Sequence, residues 1–210
     1  MSARWVGLPA AEARCVRRRV KGPMSTQRLS DLVLQLVAPV LAPFGFVRAQ
    51  QTFRKELGDQ CWMVHLSFVR HREDVDVICD FAVRHHAIQD LLRPKRYAKI
   101  SDREFRTTAT VGTELGNYLG QGQRRWSIRE PADVAAFVTD FQYCFSEHIL
   151  HGLEALSELT QLQEALERGD AWARLICPLP GQATAVLEAI RSHRAHAPSN
   201  QRLQRRASRG

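Results

Sequence analysis

Asp74, Asp76 and Asp80 sit on alternating positions of one apolar-rich stretch, with Glu56 and His65 shortly before them. Carboxylates beside an imidazole are the residue types of general acid–base work and of hard-cation binding. On an extended strand, however, side chains two residues apart stand about 7 Å from one another, too far to share a cation without ligands from a second strand. A solvated sheet face with alternate carboxylates is the plainer expectation. His148, His151 and Glu154 have a helical spacing suited to metal ligation. His148 nevertheless falls inside an apolar stripe and Glu154 faces away from it, so a half-buried structural histidine is expected there. His85 and His86 are adjacent, and on a strand they point to opposite faces. The run Gly116-Asn-Tyr-Leu-Gly-Gln-Gly122 lacks the Gly-Lys-Ser/Thr ending of a phosphate cradle and reads as a turn region. Trp126 is first a packing residue and second a ring on which a ligand would stack. No cofactor fingerprint, Gly-x-Ser-x-Gly or His-Glu-x-x-His motif occurs, so neither a cofactor nor a metal is expected.

These side chains depend on the elements that carry them. From Ser25 to Phe44, Leu29, Leu32, Val33, Leu36, Val37, Val40 and Leu41 recur at three- and four-residue steps, which predicts an amphipathic helix ended by Pro43 and Gly45. Strands are expected near 51–57, 60–70, 74–84 and 105–112, with a short one around 124–128. Residues 87–104 are basic and irregular. Pro131 opens a long helix whose stripe runs Val134, Phe137, Val138, Phe141, Phe145, His148, Ile149, Gly152, Leu156, and shorter helices follow near 160–168 and 182–191. The expected fold is α+β: an antiparallel meander of about four to five strands, with the N-terminal helix and the long C-terminal helix on one face.

Alternation also sets a register. Trp62, Val64, Leu66 and Phe68 alternate, as do Val75, Val77, Cys79, Phe81 and Val83. A hairpin pairing Phe68 with Val75, Leu66 with Val77, Val64 with Cys79 and Trp62 with Phe81 buries all of them on one face. A tight Gly58–Asp59 turn then places Phe53 opposite Val64. Parity sends Arg54, Glu56, Met63, His65, Ser67, Asp76, Ile78 and Asp80 to the other face, where Arg54 would reach Asp80 diagonally through Met63.

The chain has 210 residues, 44% hydrophobic and 25% charged, within the range of one globular domain with appendages. No run nears the roughly 18 apolar residues of a membrane helix, so no membrane span is expected. Its +8 net charge comes from 30 basic and 22 acidic residues and is unevenly spread. Residues 1–23 hold six basic residues and one acid, residues 191–210 six arginines and no acid, which leaves 24–190 at −3. Specific nucleic-acid recognition normally sets its charge as a patch on the fold, so it is not expected here. The basic ends read as disordered appendages around a single domain over 25–190. Met24, followed by the capping residues Ser25 and Thr26, reads as the native start. Five widely spaced cysteines without a Cys-x-x-Cys suit reduced thiols in a cytoplasmic protein.

The run Leu41-Ala-Pro-Phe-Gly-Phe46, then Thr52-Phe-Arg-Lys-Glu-Leu-Gly-Asp59, an alternating hairpin, Val111-Gly112 and Trp126 before a Pro-initiated helix resemble domain-of-unknown-function family 4304, small bacterial proteins. The similarity covers about residues 27–168, and its most distinctive piece is Phe-x-x-Glu-Leu-Gly-Asp. It implies an α+β fold and no known activity. Where the family pattern has amides in the second strand and Asn in the third, this chain has His65, Ser67 and Asp80. The resemblance therefore implies no chemistry that requires those amides.

The leading expectation is a non-catalytic module that binds a protein partner, as immunity or antitoxin proteins do by analogy. Arg54, Glu56, His65, Ser67, Asp76 and Asp80, or the Gly116–Gly122 loop, would form the docking surface, with Trp126 an added contact. The alternative is a hydrolase-type or metal-dependent enzyme using His65 with Asp76, Asp80 or Glu56. A third reading, weak nucleic-acid binding through the tails, predicts that a 24–190 truncation loses that affinity.

Overall fold

The computed structural model describes residues 25–92 and 109–196. Residues 1–24, 93–108 and 197–210 lie outside this range, and with them the expected N-terminal extension, most of the basic 87–104 stretch and the start of the 105–112 strand. Ser25 is extended, and its hydroxyl accepts the Arg28 backbone N–H, capping helix α1, Thr26–Leu41. Leu29, Val33, Val37 and Leu41 form its buried stripe. A 3-10 turn over Ala42–Phe44 follows, and Gly45, at φ 83°, turns the chain into the sheet.

The strands are β1 Val47–Ala49, β2 Thr52–Glu56, β3 Gln60–Arg70, β4 Val75–His85, β5 Val111–Glu114 and β6 Trp126–Ile128. They form an antiparallel sheet in the order β1-β2-β3-β4-β5, and β6 pairs with β4 alongside β5. β5 takes Asp80 to Val83 and β6 takes Val75 to Val77. β1 was not anticipated, because three residues are too few for alternation to show. The helices after β4 are α2 His86–Leu92, α3 Leu115–Tyr118, α4 Pro131–Cys144, α5 Leu150–Ser157, α6 Leu159–Arg168, α7 Ala171–Ile176 and α8 Gln182–His196. The architecture is α+β, with α1 and the α4–α5 helix on one face of the sheet.

Three expectations need correction. In the β3–β4 hairpin Phe68 pairs with Val77, Leu66 with Cys79, Val64 with Phe81 and Trp62 with Val83. The His71 N–H bonds the Asp74 carbonyl, so the turn is Arg72–Glu73 and β4 slides by two residues against β3 relative to the expected pairing. The shift is two residues, so every side chain keeps its face but changes its cross-strand neighbour. Second, the helix opened by Pro131 contains a π-helical turn, Phe145–Ile149, between α4 and α5. Phe137, Phe141, Phe145, Ile149 and Leu153 are all buried at four-residue steps. At ~100° per residue an α-helix would carry that stripe progressively off the core, and the wider turn brings it back. Third, α8 continues to His196, so Arg191 and Arg194 belong to the folded body and not to the tail. Arg191 pairs with Glu167 at 2.9 Å, and Arg194 bonds Gln163 and Thr160.

The core lies between α1, α4–α5 and the sheet, and the smaller C-terminal helices close its end. Phe145 is its hub, stacked on Phe141 and met edge-on by Phe44 and Phe46. Each such fully buried ring contributes about 1.5–3 kcal/mol.

Candidate functional site

The second face of the sheet holds the residues singled out for function. The observed register sets Thr52 opposite His65, His65 opposite Asp80, and Asp80 opposite Glu114. These four residues form one transverse row across β2, β3, β4 and β5. The two-residue shift of β4 moves Asp80 from the rung of Met63 to that of His65. Thr52 Oγ1 and His65 Nδ1 lie 2.9 Å apart. A hydroxyl on an imidazole is the pairing used to activate a nucleophile, but Thr52 is 1% exposed, which closes its oxygen to a substrate.

Glu114 went unnoticed in the sequence because the strand assigned there stopped at 112. Its carboxylate accepts the backbone N–H groups of Gly116 and Asn117 at 2.9 and 3.0 Å and that of Arg124 at 3.2 Å. The Gly116–Gly122 turn is thus folded around the chain's own carboxylate, which fills the place an external anion would need. A Cβ on Gly116 would collide with the Gly122 carbonyl and the Arg124 backbone. The close approach requires glycine there.

The six expected surface residues do not share one environment. Glu56 is exposed, Arg54, His65, Ser67 and Asp76 are half-buried, and Asp80 is buried at 6%. Asp80 therefore does not stand out in solvent as expected. Met63, Ala82 and Cys61 are buried beside it in a small apolar cluster on the same face. Burial pushes the Cys61 thiol up to about 12, with Glu56 adding to the effect. Asp76 is tied to His71 at 3.3 Å and Arg125 at 3.5 Å, and Asp74 to Arg129 at 3.6 Å, a charged border where the hairpin tip meets β6. Glu56 meets His86 at 3.3 Å.

Trp126 belongs to the opposite side. It pairs with Val77 on the core face, packs edge-on against Phe137 and donates its indole N–H to Asp140. The Arg124 guanidinium lies over its ring at 4.9 Å and also holds Asp140. Its indole N–H, one ring face and one edge are engaged in these contacts, so half-buried Trp126 belongs to the core side and not to the second face. His148 is half-buried against Tyr143, and His151 donates to the Glu147 carbonyl. His85 and His86 diverge as parity requires. Among the described residues no group of three or more His, Cys, Asp or Glu is placed to hold a metal ion, and no helix is long and apolar enough to cross a membrane. Compared with known proteins, the chain matches no family model, no curated protein and no solved structure.

Proposed function

We propose that this chain is a non-catalytic, cytoplasmic protein-binding module whose docking surface is the outer part of the second sheet face: Arg54, Glu56, Ser67 and Asp76, with the charged β3–β4 tip. The observation that carries the reading is how the acid–base candidates are used. Glu114 is saturated by three backbone N–H groups, His65 bonds buried Thr52, and Asp76 is ion-paired. Such a face offers fixed charges on a rigid pleat, which suits electrostatic recognition of a partner. The resemblance to family 4304 is part of this proposal and brings no activity with it.

A charge-reversal pair tests the surface. Protein immobilised in an extract of its source cells should retain a discrete partner, and an Arg54→Glu/Asp76→Arg variant should lose it. A Glu147→Arg/Glu154→Arg variant, altered on exposed helix positions of the other side, should keep it. The opposite pattern would rule this face out.

A second reading, acid–base or metal chemistry, would draw on the single row that joins His65, Asp80 and Glu114, although no three such residues among those described are placed to hold a metal ion. It predicts an ion-specific rise in melting temperature with a divalent metal, removed by Asp80→Ala. The binding reading predicts no ion-specific shift.

A further inference from the structure

The Arg72–Glu73 turn closes one end of β4, and α2 leaves the other end at His86. There α2 packs on α8, and between them and the residue before β5 lies a cavity of about 250 Å³. Its deep side is polar. Thr110 is 1% and Gln89 2% exposed, and the Thr110 hydroxyl accepts the His85 backbone N–H at 3.0 Å and donates to Gln89 Oε1 at 3.0 Å. Its walls are apolar, with Leu92 on α2, Ala185 and Val186 on α8, and Pro180 in the turn before α8.

The sequence pre-sets that turn. Pro180 fixes one φ, Gly181 takes φ 73°, and the Gln182 N–H donates to the Leu179 carbonyl at 3.1 Å, the arrangement of a type II turn. The Gln182 side chain ties it a second time: its Oε1 accepts the Leu179 N–H at 3.2 Å, and its Nε2–H donates to the Thr110 carbonyl at 3.4 Å. Each bond uses one lone pair or one hydrogen of a group that has two. The carboxamide lines the cavity and so keeps one acceptor and one donor for a ligand. Among the described residues no Lys, Arg, His, Asp or Glu lines it, so a charged ligand would lose its hydration with no partner in return.

We infer that this cavity binds a small, neutral, single-ring molecule with an amide-like edge: the ring lies against Leu92, Pro180, Ala185 and Val186, and the edge pairs with the Gln182 carboxamide. Volume sets the size. An apolar cavity of roughly 150 Å³ holds one benzene ring, whereas pockets for drug-sized ligands begin at about 300 Å³. The space here, about 250 Å³, admits one substituted ring. A donor and an acceptor on one carboxamide are matched by a ligand that presents the same two groups side by side, as a primary amide does. The site shares no residue with the sheet face proposed above and does not depend on it.

NMR titration of the full chain with benzamide, benzoate and ethylbenzene tests the site. Benzamide should shift the amides of 86–92, 109–111 and 179–187 while those of 26–41 stay in place, with Kd on the order of 1–10 mM for so few atoms. Benzoate, of the same shape but charged, should leave all of them unmoved. Gln182→Leu should weaken benzamide by about tenfold, the loss of its paired hydrogen bonds, and leave ethylbenzene unaffected. Ala185→Trp, at an exposed helix position, places its ring in the cavity and should abolish binding of both neutral ligands. If Gln182→Leu fails to fold, Ala185→Trp with the benzamide–benzoate comparison supplies the test. No benzamide shifts at these residues, equal binding of benzoate, benzamide binding unchanged in folded Gln182→Leu, or binding that survives Ala185→Trp would overturn the site.

Discussion

Glu114 shows how a single side chain converts an acid into a scaffold. A carboxylate accepting three backbone N–H groups forms charge-assisted bonds, each worth about 1.5–3 kcal/mol net of the exchange with water. It fixes α3 and the return of the chain at Arg124 at the same time. Glu114→Gln halves the acceptor capacity and turns an amide N–H₂ toward other donors. The expected loss is about 2 kcal/mol in chemical denaturation, with faster exchange at Gly116, Asn117 and Arg124. An unchanged denaturation midpoint would mean that the cradle is held by the glycines alone.

At the scale of elements, the α4–π–α5 helix determines how close the helical layer lies to the sheet. Gly152 meets Phe81 so tightly that a Cβ there would fall 2.5 Å from the ring. Phe81 is fully buried and its ring is braced edge-on by Tyr118, which in turn meets Trp172, so it has little room to yield. Gly152→Ala gains about 1 kcal/mol of helix propensity but forces overpacking that typically costs 1–3 kcal/mol, with the upper part of that range favoured by a braced ring. The net expectation is a lower melting temperature, the opposite of what Gly→Ala does on an exposed helix. Alanine at the exposed Glu154, two residues on, should leave the melting temperature nearly unchanged. The π turn belongs to the same scale. It exists because apolar residues at four-residue steps must all reach one core, and packing outweighs ideal helical geometry.

Across the whole molecule, stability should depend on pH in two separated windows. His85 has a folded-state pKa below its ordinary value of 6.5, with burial the main cause. Its contribution is complete above about 6.5 and is lost as pH falls from there toward the folded value. Glu167 and Asp170 have pKa values lowered from the ordinary carboxylate values, chiefly by hydrogen bonds from Gln163 and Arg191 and from the Ala173 backbone and Arg168. Stability from such groups is present above their unfolded values and disappears only in more acidic solution. Denaturant midpoints should thus be level from pH ~8 to ~7, fall between ~6.5 and ~5, and fall again at carboxylate pH. His85→Gln should flatten the first step and spare the second.

The α+β class, the two central hairpins and the division of the sheet into an apolar and a polar face were legible in the sequence, because strand alternation has a period of two and burial enforces it. The Phe53–Val64 pairing followed from a short turn that leaves little choice. The row Thr52–His65–Asp80–Glu114 was not legible. Parity is blind to a two-residue slide, and the slide was settled by the His71–Asp74 turn and by the strands laid against β4. Nor could local pattern show that Asp80 is buried or that Trp126 faces the core, since both depend on which segments arrive from far along the chain. Alternation therefore determined the faces by itself, whereas neighbours, burial and protonation were decided only when distant elements packed together.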